Sequence, residues 1–182
     1  MKILALDLSF AKTGIAVLSF KDGKPTIESA YLFKSDAKAS QSQRIYETVL
    51  EIEYVINLVK PDYIVKEASI VARQSTATPV LKTHGALEYR FKDVEIHEVH
   101  NATIKAYSRK IIGKQRADHL KKDEPKKWGK LIVKEAVEKI YGEVLEMYTP
   151  KGAYLDDVGD AILLGTLWLS LNGHIHEIKG SG

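Results

Sequence analysis

The sequence predicts an α/β fold built on a mixed five-stranded sheet, in which three antiparallel strands precede two parallel strands and helices flank the sheet. Two observations predict it. Three β-rich segments with tight-turn signals open the chain, and apolar segments of helical spacing then alternate with short β-rich segments. The length of 182 residues suits one domain, which we place at 1–176, and residues 177–182 form a tail to which we assign no function.

The first three strands are predicted by apolar runs and by a turn between two of them. Residues 2–8 form a mostly apolar run, 14–20 form a second β-rich run, and 26–33 supply a third. Asp22-Gly23 is a strong hairpin signal, because both residue types tolerate positive φ. Consecutive strands joined by such short connections pair antiparallel.

The middle of the chain is predicted to hold two helices and two short strands. Apolar side chains recur at helical spacing over 45–59, and Pro61 ends that helix. Residues 62–69 and 94–99 have the pattern of short strands, and a helix between them is predicted from 75 to 91. Strands that are separated by a helix can pair parallel in one sheet.

Three helices complete the predicted order. The first runs from about Ala102 to an interruption near Gly113, the second from after Pro125 to Tyr141, and the third over 155–171. The residues between Gly113 and Pro125 are predicted to form a basic loop.

Composition excludes several classes of protein. Hydrophobic residues at 45% and charged residues at 28% are ordinary for a globular protein. The absence of cysteine excludes disulfides, a thiol nucleophile and a Cys-ligated zinc site. The longest apolar stretch, 161–171, is too short for a bilayer, which takes roughly 20 residues, and Asp7 lies where a signal peptide needs apolar residues. We therefore expect a cytoplasmic protein without a membrane partner.

Positive charge is concentrated in one segment. Between Lys105 and Lys134 there are 11 Lys and Arg residues and three acids, a local charge of +8 in a chain whose net charge is +3. Many proteins carry such a segment as a solvated helical surface. The same asymmetry of charge also suggests a polyanion partner for one face of the protein, and the other features of the chain decide between the two explanations.

Four acidic residues lie at the ends of predicted elements: Asp7, Glu67, Asp157 and Asp160. The last two are three residues apart at the start of a helix, so they share one face, and the helix dipole alone would favour them there. Glu67 alone fits a solvated strand end. Asp7 is the exception, because a carboxylate beside a buried strand costs several kcal/mol unless it is paired or bound to a metal.

These acids are expected to converge. If the first and fourth strands are parallel neighbours, Asp7 and Glu67 meet at one edge of the sheet, and the last helix can bring Asp157 and Asp160 to the same point. Such a cluster stays ionised only beside hard divalent cations, and oxygen-only ligation indicates Mg²⁺ or Mn²⁺. Two such ions would support phosphodiester hydrolysis. The acidic cluster and the basic segment together favour a nuclease as the function of the chain.

Four stretches carry a family resemblance: ILALDLSFAKTGIAVL, DYIVKEAS, TIKAYSRKIIGKQRAD and DDVGDAILL. Their order and spacing resemble the RuvC-like Holliday junction resolvases, most closely the shorter bacteriophage members. The resemblance implies an RNase H-like fold, a homodimer, and Mg²⁺-dependent hydrolysis of branched DNA with two ions per site and Mn²⁺ as a substitute. A phage protein would act in the host cytoplasm.

The resemblance also assigns roles to residues. Catalysis and metal binding fall on Asp7, Glu67, Asp157 and Asp160, and Asp156 is an extra acid that either substitutes for one of them or caps the helix. The metal would activate the attacking water, so no histidine is required for the chemistry.

DNA binding is assigned to the basic segment. The family's DNA-contacting lysine falls on Lys105, and His119 is a further candidate for a phosphate contact. The predicted DNA-binding residues are Lys105, Arg109, Lys110, Lys114, Arg116, Lys121 and Lys122.

Three positions depart from the family pattern. Gln115 replaces a second glycine, and His119 replaces a lysine whose charge Lys121 and Lys122 can supply. Ile70 stands where family members place an aromatic residue that stacks at the junction centre. These departures predict a looser preference that includes three-way junctions, forks and flaps besides four-way junctions.

Two alternatives remain. The chain could be a non-catalytic branched-DNA-binding module in which the acids are structural, or a ribonuclease H that acts on RNA–DNA hybrids. The +8 segment and the D-x-x-D pair at 157–160 favour branched DNA over hybrids. A sugar-kinase or actin-like phosphotransferase also opens with a strand, an Asp and a glycine turn, but it needs two such subdomains and a far longer chain.

Overall fold

The computed structural model describes the backbone of residues 1–69 and 74–175 and the side chains of 1–69 and 78–175. Its strands are β1 (Lys2–Asp7), β2 (Lys12–Lys21), β3 (Lys24–Lys34), β4 (Tyr63–Glu67) and β5 (Ile96–Val99). Its α-helices are α1 (Gln41–Val59), α2 (Gln74–Arg90), α3 (Asn101–Ile112), α4 (Lys114–Asp123), α5 (Trp128–Tyr141) and α6 (Asp156–Leu171). A single 3₁₀ turn, Leu145–Met147, lies between α5 and α6.

The sheet has the predicted mixed topology. Its strand order is β3-β2-β1-β4-β5, with β1–β2 and β2–β3 antiparallel and β1–β4 and β4–β5 parallel. The β2–β3 hairpin turns through Asp22 at φ 52° and Gly23 at φ 78°. Two consecutive positive φ values are what a two-residue type I′ turn requires, which explains the Asp-Gly pair.

Alternation along the strands creates two cores, one on each face of the sheet. Ile3 and Ala5 of β1 and Val65 of β4 pack with α3, α5 and α6. Leu6 of β1 and Ile64 of β4 pack on the opposite face with α1 and α2. The first set will be called the α6 face and the second the α2 face. In the described part of the chain, no helix is long and apolar enough to cross a membrane.

One predicted element was wrong. The segment between Gly113 and Pro125, predicted as a basic loop, forms helix α4. Gly113 has φ 90° and ends α3, but Lys, Gln, Arg, Ala and Leu then favour a new helix at once. Ala117 and Leu120 bury its inner face, and this stripe of only two apolar residues is too short a periodic signal to recognise in the sequence.

Some predictions concern residues that the structure does not describe. Ile70, at the position of the family's stacking aromatic residue, lies outside the described residues, as does the predicted tail at 177–182. Helix α2 begins at Gln74, one residue before the predicted start. The assignment of 1–176 to a single domain stays a prediction.

Candidate active site

The parallel pairing of β1 and β4 brings two carboxylates to one edge of the sheet. Leu6 pairs with Lys66 in the register of these strands, and Asp7 and Glu67 are the next residues, at the end of each strand. Because side chains alternate along a strand, both carboxylates belong to the α6 face, as Ala5 and Val65 do. The two side chains lie close enough for a hydrogen bond between the carboxyl groups.

Helix α6 begins directly above this edge. Gly14 of β2 is the register partner of Asp7. A Cβ on Gly14 would overlap the carbonyl oxygen of Asp157 and lie 3.1 Å from the amide nitrogen of Val158. Glycine is therefore required for this close approach. The contact sets the first turn of α6, which carries Asp157 and Asp160, against the strand that carries Asp7.

The carboxyl group of Asp7 is perturbed by its surroundings. Burial raises its pKa well above the ordinary value of 3.8, and the negative charges of Asp160, Glu67 and Asp157 raise it further. Each of these three residues comes from a predicted site position. The strand register and the contact between Gly14 and Asp157 place the four predicted carboxylates in one region, and their charges oppose the ionisation of Asp7.

Asp160 is nearly buried, with 14% of its side chain exposed. Burial raises its pKa to about 6, the charge of Lys105 opposes that rise, and Glu67 adds to it. Its Oδ1 atom is buried and has no hydrogen-bond partner, while the Lys105 Nζ atom lies 3.9 Å away. A buried carboxylate oxygen without a partner is unusual, because desolvation without compensation is costly.

The other two acids of the helix start are held differently. Burial and the charge of Asp156 raise the pKa of Asp157, whereas Lys12 and Lys130 lower it. Asp156 itself forms an ion pair with Lys130, at 2.6 Å between Oδ2 and Nζ. Asp156 is therefore engaged in a lysine pair, and the charges of Asp157 and Asp160 both raise the pKa of Asp7.

No three of the four predicted carboxylates bring ligand atoms within 4.8 Å of one another in the described residues. The only set in that part of the chain that does so is His84, Glu88 and Glu98. It lies around Lys66 on the α2 face, and the ammonium group of Lys66 contacts all three side chains. This cluster was not predicted from the sequence. Its signal was Lys66, a charged residue inside the buried strand segment Ile-Val-Lys-Glu.

Several predicted DNA-binding residues are ion-paired on the surface. Arg116 donates two hydrogen bonds to Glu135, at 2.9 and 2.5 Å, and Arg109 lies 3.8 Å from Asp118. Phosphate binding by Arg116 would require its pair to open.

The remaining basic residues line α3 and α4. His119 lies 3.0 Å from Asp123. Lys121 lies over the ring of Trp128, whose indole nitrogen donates to the Ala117 carbonyl oxygen. The side chains of Lys110, Lys114 and Lys122 are exposed. The basic segment thus forms a helical surface that begins at Lys105, beside the carboxylates.

Comparisons with known proteins agree with this fold. No protein-family model matches the chain. It is 21% identical over 107 residues to the crossover junction endodeoxyribonuclease RuvC of Prochlorococcus marinus, a match that covers 58% of this chain and 68% of that protein.

Several solved structures match nearly the whole chain. The T. thermophilus RuvC in complex with Holliday junction substrate superposes with a TM-score of 0.65 at 14% identity, over 96% of this chain and 97% of that one. The yeast mitochondrial Holliday junction resolvase has a TM-score of 0.62 at 16% identity, over 94% of this chain and 79% of that one. At these identities the likeness shows the fold. The resemblance to RuvC-like resolvases and the RNase H-like sheet are confirmed, and placement among phage proteins stays a prediction.

Proposed function

We propose that the chain is a structure-selective endodeoxyribonuclease that resolves Holliday junctions and other branched DNA by metal-dependent phosphodiester hydrolysis. The observation that carries the proposal is the meeting of two strand ends and one helix start, at which Asp160, Glu67 and Asp157 raise the pKa of Asp7. A fold maintains such mutual repulsion at a cost, and function is the usual reason for that cost.

The donor set fits divalent metal ions. The candidate ligands are all carboxylate oxygens, which suit Mg²⁺ or Mn²⁺, and the buried Oδ1 atom of Asp160 has no partner of its own. Asp7, Glu67, Asp157 and Asp160 would hold the ions, Mg²⁺ by preference. Two bound ions supply a water of lowered pKa and neutralise the charge that develops on the leaving oxygen.

The chain's own residues provide the rest of the site. The carboxylates act only when ionised, and Lys105 and Lys12 lower the pKa of Asp160 and Asp157 respectively. Lys105 also begins the basic helical surface, which would bind the DNA backbone by neutralising phosphates. The carboxylates that would cut the DNA and the basic surface that would bind it are thus adjacent.

One relative supports the DNA partner, and the family resemblance implies the assembly. One of the matching structures is a RuvC in complex with a Holliday junction substrate, which supports branched DNA as the ligand of this fold. A homodimer would present two sites to two opposing strands, so that paired nicks leave ends that a ligase can join.

The test is a cleavage assay on labelled four-way, three-way, forked and linear DNA and on an RNA–DNA hybrid, each with Mg²⁺, with Mn²⁺ and with a chelator. We expect metal-dependent cutting of the branched substrates. The Asp7→Asn variant should bind the junction and leave it intact. Junction binding without cutting by the unsubstituted protein would support the non-catalytic module, and cutting of the hybrid alone would support a ribonuclease H.

A further inference from the structure

Lys66 is a fully buried lysine in the central part of the sheet, with 1% of its side chain exposed. It lies on the α2 face, directly behind the candidate site. Its Nζ atom is 3.1 Å from His84 Nδ1 and 3.0 Å from Glu88 Oε1, and it forms an ion pair with Glu98. A buried ammonium group is tolerated only with such partners, and all three come from elements other than β4.

The hydrogen bonds around His84 have a fixed direction. An ammonium group can only donate, so His84 Nδ1 accepts from Lys66. The ring proton of a neutral imidazole is then on Nε2, which lies 3.3 Å from the carbonyl oxygen of Leu8 and donates to it. Burial and the charge of Lys66 lower the pKa of His84, which agrees with the neutral ring.

The carbonyl group of Leu8 lies just beyond the sheet. The β1–β2 register ends at the Asp7–Gly14 pair, and the β1–β4 register ends at the Leu6–Lys66 pair. The His84 hydrogen bond therefore holds the backbone immediately after Asp7, where the ladder no longer does.

Leu8, His84 and Lys66 form a chain of hydrogen bonds, called the relay below, whose other end lies in β4. Lys66 directly precedes Glu67, and successive residues of a strand point to opposite faces. The chain Leu8–His84–Lys66 thus joins the residue after Asp7 to the residue before Glu67, across the back of the sheet.

We propose that His84 and Lys66 are positioning residues that fix the spacing of the strand ends carrying Asp7 and Glu67, and so set the affinity of the carboxylate site for divalent cations. The inference rests on the proposed function. Groups that hydrogen-bond a metal ligand typically change metal affinity about 10- to 100-fold when they are removed, and we expect an effect of that order here, where His84 acts on the ligands through the backbone.

Substitution of His84 tests the proposal better than substitution of Lys66. Removing the ammonium group would leave His84, Glu88 and Glu98 free to bind a metal themselves. His84→Leu removes both hydrogen bonds with little change in volume. His84→Gln keeps a donor for Leu8 and an acceptor for Lys66.

A matched control comes from the same helix. Leu87 is fully buried in the α2-face core, and Leu87→Ala destabilises that core without touching the relay. A positioning role and a merely structural role then give different results, because only the first links hydrogen bonding by residue 84 to cation affinity.

The experiment measures Mn²⁺ binding to the full chain without DNA, by electron paramagnetic resonance of free Mn²⁺ and by the shift in Tm. We expect His84→Leu to weaken Mn²⁺ binding about 10- to 100-fold. His84→Gln should keep an affinity near that of the unsubstituted protein, and Leu87→Ala should lower Tm but not affinity. Junction binding in chelator should be the same for all four proteins.

Two results would overturn the inference. The first is an unchanged Mn²⁺ affinity in His84→Leu. The second is a loss of affinity in His84→Gln and Leu87→Ala as large as that in His84→Leu, and either result would show that the relay does not position the site. Asp7→Asn separates this failure from that of the proposed function. If Asp7→Asn binds Mn²⁺ as the unsubstituted protein does, the carboxylate site itself is refuted and the inference with it.

Discussion

The backbone of Asp157 packs against Gly14 so closely that a Cβ on Gly14 would overlap the Asp157 carbonyl oxygen. This contact is between main chains, so no side-chain rotation can relieve an added methyl group. It fixes the height of the α6 start above the sheet edge. The position of two candidate metal ligands therefore depends on one glycine.

Gly14→Ala is expected to separate α6 from the sheet edge. We predict a loss of about 1–3 kcal/mol in the free energy of unfolding, as for other overpacked sites. Cleavage should fall about 100-fold, since a displacement of 1 Å at an active site can cost that much. Urea unfolding and junction cleavage measure the two effects.

The matched control is Gly85→Ala in α2, where an added Cβ meets nothing within 4 Å. It should be neutral or stabilise the protein by about 0.5–1 kcal/mol, because alanine favours a helix. Full activity in Gly14→Ala would contradict the role given to the close approach.

Asp7→Asn is expected to stabilise the metal-free protein and to abolish its cleavage activity. Burial and three neighbouring carboxylates raise the pKa of Asp7, so loss of its charge relieves repulsion in the metal-free fold. We predict a higher Tm than that of the unsubstituted protein in chelator, a smaller gain in Tm from Mg²⁺, and no cleavage. Glu146→Gln, at an exposed position, should change none of these. A lower Tm for Asp7→Asn in chelator would show that the charge is not repelled in the fold.

Stability of the metal-free protein should fall as pH rises. The pKa of Asp160 is about 6 in the folded chain against an ordinary value of 3.8. Its contribution is fully present below pH 3.8 and is lost as pH rises through 6, which corresponds to about 3 kcal/mol. In chelator, the free energy of unfolding of Asp160→Asn relative to the unsubstituted protein should therefore be larger at pH 7.5 than at pH 4. A difference between the two proteins that is the same at both pH values would contradict the raised pKa.

The positive charge on α4 should raise the affinity for DNA by a similar amount for every DNA sequence. Lys114→Glu reverses an exposed charge in the basic segment, and Lys24→Glu does so on the β2–β3 hairpin as a control. We predict weaker junction binding for Lys114→Glu only, with the slope of log affinity against log salt reduced by about 0.9 for one lost phosphate contact. Fluorescence anisotropy over a salt series measures it. Identical slopes for both variants would place the DNA elsewhere.

The sequence singles out Asp7 by itself, whereas Glu67 and the pair Asp157 and Asp160 stand out only when they are considered together with it. Asp7 interrupts an apolar strand, and the D-x-x-D spacing at 157–160 forces two acids onto one helix face. Their convergence follows from β1 and β4 being parallel neighbours, which the short β4 segment after a helix already indicates.

The Lys66 relay could not be predicted in the same way. Its partners His84 and Glu98 lie 18 and 32 residues away in sequence, and Leu8 contributes only a carbonyl group, which every residue has. Helix α4 was missed because its apolar stripe comprises only Ala117 and Leu120. Structural features that depend on long-range contacts or on backbone atoms cannot be recognised in the local pattern of the sequence.

Anomalous X-ray scattering from crystals of the protein soaked in Mn²⁺ would locate the metal site directly. We predict manganese between Asp7 and Glu67 on the strands and Asp157 and Asp160 on α6. Manganese bound only at His84, Glu88 and Glu98, or none at the end of β1, would contradict it.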